Sequence, residues 1–294
     1  MEILVIEDFF KGGRKLKIDV HVHILSPEFI ADVETYKKRE SHFCLIHTGP
    51  KVRYATAEDV LADMEKTGVD RTVVFGFPFK DIGLCREAND YIIKSVEKYP
   101  DKLTGFAVAP PLDSGCAAEI ARCHDLGLKG VGELIPDAQQ FDISDQDQMK
   151  NLVSVCKERN LPILMHANEQ VGHYYPGKGE TGPRRAFCFA QKNPELTIIY
   201  AHWGGGLFFY ELMPELRKEM THVYYDNAAS PYLYSPQVYE AARTAGILDK
   251  VMLGSDFPLL SPSRYYKELS KTNLTEEEKE MVLGKNAQRV LFAQ

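Results

Sequence analysis

Residues 17–24 read KIDVHVHI, and the fold turns on how this run is placed. Side chains of a strand alternate faces with period two, so Asp19, His21 and His23 share one face while Val20, Val22 and Ile24 share the other. The apolar face is ready to pack on helices, which leaves the imidazoles to project from the opposite side. Seven further apolar runs follow: RTVVFGFP (71–78), LTGFAVAP (103–110), LKGVGELI (128–135), LPILMHAN (161–168), LTIIYAHW (196–203), HVYYDNAA (222–229) and VMLGSDFP (251–258). Most are rich in Val, Ile, Tyr or Phe and several end at Gly or Pro, as buried parallel strands do.

Amphipathic stretches lie between the runs, at 56–67, 84–98, 114–126, 144–159, 183–192, 207–219, 235–245 and 275–292. Two of them open on a capping box, Thr56-Ala-Glu-Asp59 and Thr275-Glu-Glu-Glu278, in which a hydroxyl and a carboxylate satisfy the free amides of a helix start. Eight strands alternating with eight helices predict an α/β fold, a (β/α)8 TIM barrel. A doubly wound open sheet would also alternate, but no Gly-x-Gly-x-x-Gly follows the first strand. The longest gap, 25–70, is an insertion after that strand and carries His42, His47, Arg53 and Tyr54; loops of this length are usually functional.

The chain has 294 residues, and a barrel of about 250 residues occupies such a length as one domain, here 1–294. Hydrophobic residues make up 44% and charged residues 26%, which excludes disorder and fibrous repeats. Lys and Arg number 35 against 42 Asp and Glu, a net charge of −7. That balance argues against a nucleic-acid partner, which would require clustered basic residues. No apolar run approaches the roughly 18 residues of a membrane span, so no membrane partner is expected. Six cysteines without a Cys-x-x-Cys pair, and a short acidic start in place of a secretory leader, predict a cytoplasmic protein.

The histidines carry the chemistry. His21, His23, His166 and His202 lie at or near C-terminal ends of predicted strands, together with Glu133 and Asp256. In a barrel those ends open on the face that holds active sites. An ionisable group on an apolar strand loses hydration unless it is paired or coordinated, and six such groups at one level predict a divalent-cation site. Imidazole and carboxylate donors suit Zn²⁺ first, with Mn²⁺, Fe²⁺ or Ni²⁺ also compatible, and no cysteine joins the set. Glu133 reads either as a ligand or as an acceptor that orients a histidine ring. Asp19 and Asp226 read as supporting groups.

The run IDVHVHI, the histidine of PILMHAN, the AHWGG turn, the GSDFP segment and the closing GKNAQRVL together resemble the amidohydrolase superfamily, and most of all its amidohydrolase-2 branch, which includes aminocarboxymuconate-semialdehyde decarboxylase, resorcylate decarboxylases and several hydrolases. The resemblance extends from about residue 17 to 292. It implies a cation held by His21, His23, His166 and Asp256, with His202 contacting or protonating the reacting group. The GVGEL setting of Glu133 is instead similar to the fourth-strand Glu of TatD-type members, where a carboxylate helps hold two metals. One or two ions are therefore compatible with the chain.

Two chemistries fit these residues. In the first reading the chain is a metal-dependent hydrolase that opens an ester, lactone or amide of a small organic acid, with Asp256 as the base that activates water and His202 as oxyanion donor. The alternative is a non-oxidative decarboxylase of an aromatic or muconate-type carboxylate. Its substrate would need cationic partners, and the predicted mouth loops offer Arg53, Lys178, Arg184 and Arg185, with His173 beside them and Trp203 as a packing surface. A barrel that keeps its ligands can also serve as a binding protein, although a base such as Asp256 would then be idle. The expected partner is a small molecule, and the resemblance suggests a homodimer.

Overall fold

Eight short parallel strands pair in chain order: β1 (Ile18–His23), β2 (Arg71–Phe75), β3 (Leu103–Ala107), β4 (Gly130–Leu134), β5 (Ile163–Met165), β6 (Ile198–Tyr200), β7 (Val223–Asp226) and β8 (Val251–Met252). They are seen in a computed structural model that describes residues 15–50 and 52–293. The seam between β8 and β1 is closed by main-chain bonds from Val20 to Leu253 (2.8 Å), from Asp256 to His21 (2.9 Å) and from His23 to Phe257 (2.9 Å). The protein is thus a (β/α)8 barrel.

Period two is visible in the packing. Ile163 and Met165 belong to one apolar cluster and Leu164 to another; Ile198 and Tyr200 are likewise separated from Ile199. Phe75, Phe106, Leu164, Ile199 and Met252 come from five strands into a single cluster, which only the barrel interior allows. Each such buried side chain contributes about 1.5–3 kcal/mol. Val22 on β1 and Ile24 just after it pack with Ala57, Val60 and Met64 of the helix Ala57–Thr67, as the alternation predicts, whereas Val20 falls in the other cluster, next to the register shift between Asp19 and Val22.

Most helices lie where the apolar periodicity puts them, including Ile82–Lys98, Cys116–Asp125, Gln146–Arg159, Pro183–Lys192 and Gln237–Thr244, and both capping boxes form. Three segments differ. The stretch read as one helix over 207–219 is a tight 3-10 segment, His202–Leu212, followed by a short helix, Pro214–Glu219, because Gly204, Gly205 and Gly206 hold left-handed φ and Pro214 starts a new turn. The stretch 275–292 is helical over Glu276–Glu280 and then widens into π-turns at Met281–Lys285 and Gln288–Phe292. A helix at Pro262–Leu269 escaped the periodicity. Among the described residues no helix is long and apolar enough to cross a membrane.

The insertion after β1 folds into three short helices, Pro27–Ala31, Val33–Arg39 and Ser41–Ile46. Glu40 fastens it, its buried carboxylate accepting the backbone N–H of Lys80 (3.2 Å) and Asp81 (3.0 Å). Phe43 is its aromatic anchor, with ring centroids 4.9 Å from Phe77, 5.5 Å from Phe29 and 5.6 Å from Phe79. His47 lies against Phe43 (4.1 Å) and Tyr54 (5.4 Å), and its Nδ1–H donates to the Phe43 carbonyl at 2.8 Å.

Burial pulls the His47 imidazole down to about 4, against the opposing pull of that hydrogen bond. The unfolded chain therefore binds a proton near pH 6.5 that the folded chain refuses, and stability falls as pH drops from 6.5 to about 4. The gap is worth ~3 kcal/mol. Denaturant melts across pH 7 to 4 should show this loss in the native chain and a shallower one in His47→Leu; equal slopes would show that His47 is not held neutral.

Candidate metal centre

The two β1 imidazoles enter the barrel mouth as a pair, with Nε2 of His21 and Nε2 of His23 3.3 Å apart. Oε2 of Glu133 lies 3.5 Å from the first and 3.4 Å from the second. Oδ1 of Asp256 completes the group at 3.7 and 3.6 Å. Four donor atoms bound at about 2.1 Å around one tetrahedral ion stand about 3.4 Å apart. The imidazole–imidazole and imidazole–carboxylate separations match that spacing.

The protonation pattern favours positive charge here. Nδ1 of His21 is 2.8 Å from Asp226 Oδ2, and a carboxylate oxygen can only accept, so this nitrogen carries the hydrogen. Its Nε2 is thereby the nitrogen that faces His23, Glu133 and Asp256. Acceptors converging in a buried pocket repel one another unless positive charge lies among them. Burial alone would lower the His21 imidazole, but Glu133 and Asp226 beside it hold it well above its usual range. Burial would raise the Glu133 carboxyl, yet His21 and His166 hold it well below the usual carboxylate range. Both directions report one fact: the pocket favours positive charge. His21, His23 and Asp256 fit a divalent ion, and Glu133 lies against both imidazoles.

The backbone is bent to bring these groups in. Gly132 has φ +124°, and a Cβ there would lie 2.1 Å from the Leu164 carbonyl oxygen, so only glycine lets β4 press against β5 and swing Glu133 inward. Asp256 (φ 59°), His202 (φ 55°) and Ala229 (φ 54°) are left-handed, uncommon for side-chain-bearing residues and concentrated here around one site. Gly205 approaches so closely that a Cβ would meet the Asn168 carbonyl oxygen at 2.1 Å. Below the ligands Asp19 accepts from the N–H of His21 (3.2 Å) and Ser255 (2.8 Å), and burial pushes it up to about 7. Asp226 binds three donors, taking the N–H of His202 (3.0 Å) and Ala228 (2.9 Å) on Oδ1 while Oδ2 holds His21.

His166 and His202 stand on the far side of Glu133. Oε1 is 2.8 Å from His166 Nδ1 and 3.4 Å from His202 Nε2. Burial would lower the His202 imidazole, but Glu133 overrides this and lifts it to about 9. His21, Glu133 and His202 also offer donor atoms within 4.8 Å of one another. All six residues singled out in the sequence therefore meet.

Above them opens a cleft of about 840 Å³. Its floor includes His23, Glu133, His166, His202 and Asp256; its walls include Leu25, Phe43, Ile46, Tyr54, Phe77 and Leu260. Arg53 is the one Lys or Arg among the described lining residues. His173 lines it too, with Tyr175, while His42 and His47 come from the insertion. The other expected substrate contacts lie elsewhere. Lys178 is spent on its own loop, bound to the carbonyls of Val171 (2.8 Å) and His173 (3.1 Å) and to Glu169 (3.2 Å). Trp203 is fully buried in the barrel wall, donating to Ser230 Oγ at 3.0 Å and packing on Phe208 and Tyr239. Arg184 is exposed and outside the cleft lining, and Arg185 pairs with Asp142 at 3.5 Å. Residue type near a strand end identified the ligands, but loop cations needed coordinates.

A family model described as amidohydrolase matches residues 18–293. Solved structures share the fold. A 5-carboxyvanillate decarboxylase from Sphingomonas paucimobilis is 16% identical with a TM-score of 0.75, covering 95% of this chain and 100% of its own. A 5-carboxyvanillate decarboxylase from Novosphingobium aromaticivorans, complexed with manganese and a nitrobenzoic acid, is 18% identical with a TM-score of 0.75, covering 96% and 98%. A 2,6-dihydroxybenzoate decarboxylase from Rhizobium is 18% identical with a TM-score of 0.70, covering 94% and 98%.

Asp226 must offer an acceptor on both oxygens, and asparagine has only one. Asp226→Asn should either drive the His21 hydrogen to Nε2 or leave two backbone amides unmet. Chelator competition should show metal affinity lowered about 10–100-fold with the fold retained. Unchanged affinity would mean that Asp226 does not set the His21 tautomer.

Proposed function

The chain belongs to the amidohydrolase family, and from that premise we propose that it is a divalent-metal-dependent decarboxylase of a planar, apolar-bodied carboxylic acid. The carrying observation is the cleft: aromatic and aliphatic walls, Arg53 as the one Lys or Arg among its described lining residues, and the acidic and imidazole groups gathered on its floor. The decarboxylases that share the fold support this reading over ester, lactone or amide hydrolysis. Two imidazoles and two carboxylates suit Mn²⁺ as well as Zn²⁺, and manganese accompanies one of those decarboxylases.

When bound, the cation supplies fixed positive charge for a substrate oxygen. The chain's own residues do the rest. Arg53 at the rim pairs with an anionic group and sets the depth of entry. The apolar walls strip water from the carboxylate, which disfavours the charged group relative to neutral CO₂. His202, its Nδ1–H fixed on the Ala228 carbonyl at 3.0 Å, presents Nε2 to the floor and orients the reacting group. Asp256 carries the proton. It delivers that proton to the carbon bearing the carboxylate. The C–C bond then breaks, its electron pair returns to the substrate and CO₂ leaves.

The test is a panel of carboxylated phenols, aryl esters and lactones with Mn²⁺- or Zn²⁺-loaded enzyme. CO₂ release matching substrate loss is the expected result. Asp256→Asn should retain metal and lose about 10²–10⁴-fold in kcat. Arg53→Ala should raise KM about 10–100-fold with a smaller change in kcat. Hydrolysis of an ester or lactone without CO₂ from any acid would replace this reading with the hydrolytic one.

A further inference from the structure

The insertion after β1 brings one fixed hydrogen-bond acceptor to the wall of the cleft. His47 closes the helix Ser41–Ile46, and its Nδ1 lies 2.8 Å from the Phe43 carbonyl. A carbonyl oxygen only accepts, so Nδ1 carries the hydrogen. Burial keeps the ring neutral, which leaves Nε2 with a lone pair and no hydrogen. Among the described residues no group donates to Nε2; the atom is not sealed in the core, and the ring lines the cleft. Lys37 acts on the ring through its charge, but its ammonium is held by Glu34 at 2.7 Å.

The ring is held from several sides. Phe43 lies against it at 4.1 Å and Tyr54 at 5.4 Å, while Phe77 meets it edge-on at 5.8 Å. Turning it over would set a lone pair against the Phe43 carbonyl. Closing the helix uses Nδ1 alone, and an apolar wall needs no nitrogen at all. The second nitrogen therefore places an acceptor amid aromatic surface, where it loses hydration unless a donor meets it. A ligand that brings an O–H satisfies it, whereas an ether or carboxylate oxygen would oppose one lone pair with another. The Tyr175 hydroxyl, also in the cleft, is by contrast taken up by Asn168 and Glu169, each at 3.2 Å. His23 and Asp256 on the floor act electrostatically on the His47 ring, so a molecule seated on the floor has this wall beside it.

We infer that His47 is a specificity-determining residue, whose Nε2 accepts a hydrogen bond from a hydroxyl on the body of the substrate and turns the carboxylate end away from that wall. The inference rests on the reading of the cleft as the site of a planar carboxylic acid. His47 thereby fixes which edge of the ring enters beside the insertion, and the carboxylate is left to Arg53 and the floor.

Paired benzoic acids test this. The members of each pair differ only in carrying a hydroxyl or a methoxyl at the meta or para carbon, away from the groups that bind the carboxylate. Titration calorimetry on the Zn²⁺-loaded chain should favour the hydroxyl member about 10–100-fold at one of these carbons, the cost of leaving a desolvated acceptor unpaired. In His47→Phe, checked for folding by circular dichroism, the same two members should bind within about threefold of each other. Equal binding by the native chain, or a preference that survives in the variant, would overturn the assignment. Spectra of the native chain with ¹⁵N-labelled histidine give a readout independent of the variant: Nε2 of His47 should be unprotonated and should shift with the hydroxyl member only. A protonated Nε2, or one that ignores the acid, would also overturn it. Neither measurement depends on turnover. The preference and its loss without CO₂ release would uphold His47 as the acceptor and remove the decarboxylase reading, whereas no binding of either member would remove both.

Discussion

A carboxylate that is 2% exposed and faces four imidazoles sets the terms for this structure. Ionised and unpaired, such a group would be prohibitively costly to bury; surrounded by lone pairs it would be worse. Glu133 is tolerable only because the rings around it are held in chosen tautomers by groups farther out. Asp226 holds His21, Asn168 holds His166 and the Ala228 carbonyl holds His202. The outer hydrogen bonds decide which nitrogen faces inward, and so decide that the pocket selects a cation.

The barrel supplies the rigidity that this requires. Each of these groups comes from a different β segment except the β1 pair, and parallel pairing, with register shifts between Asp19 and Val22 and between Val131 and Leu134, brings those segments to a common level. The local deformations then finish the placement. Gly132 and Gly205 permit backbone approaches that no side chain would survive, while His202 and Asp256 are twisted into left-handed conformations that aim them back over the barrel axis. Strain of this kind costs of order 1–3 kcal/mol per residue and persists where surrounding bonds enforce it. The hydrogen bonds of Asp226 and Asp19 to the segments after β6, β7 and β8 are what enforce it here.

How much of this was legible in the chain depends on range. The His-x-His pair was readable because a strand's period of two is local, and His166, His202, Glu133 and Asp256 were readable because each interrupts an apolar run. The strands themselves are shorter than the runs, three residues in β5 and β6 and two in β8, since the runs continue into turns that carry the ligands. Composition does not distinguish a strand end from a left-handed turn, although the Gly204–Gly206 triplet was a local warning that 207–219 would not begin as a regular helix. The contact of His21 with Asp226 spans 205 positions and has no local signature. Lys178 and Trp203 failed for the same reason. Their chemistry suits a substrate, but one turns back on its own loop and the other packs into the wall. Short insertion helices depend on tertiary anchors such as Glu40 and Phe43, which no period reveals.

Charge bookkeeping sets what the floor of the cleft can attract. Glu133, Asp256 and Asp226 place three negative charges within reach of the His21 ring, and Asp19, pushed up to about 7 by burial, adds part of a fourth. One divalent cation offsets part of this charge, and Arg53, the one Lys or Arg among the described lining residues, adds a further positive group to the cleft. In a cleft walled by Phe43, Phe77 and Leu25 these opposed charges act at close range, so the sign of the floor depends on how fully positive charge offsets its carboxylates.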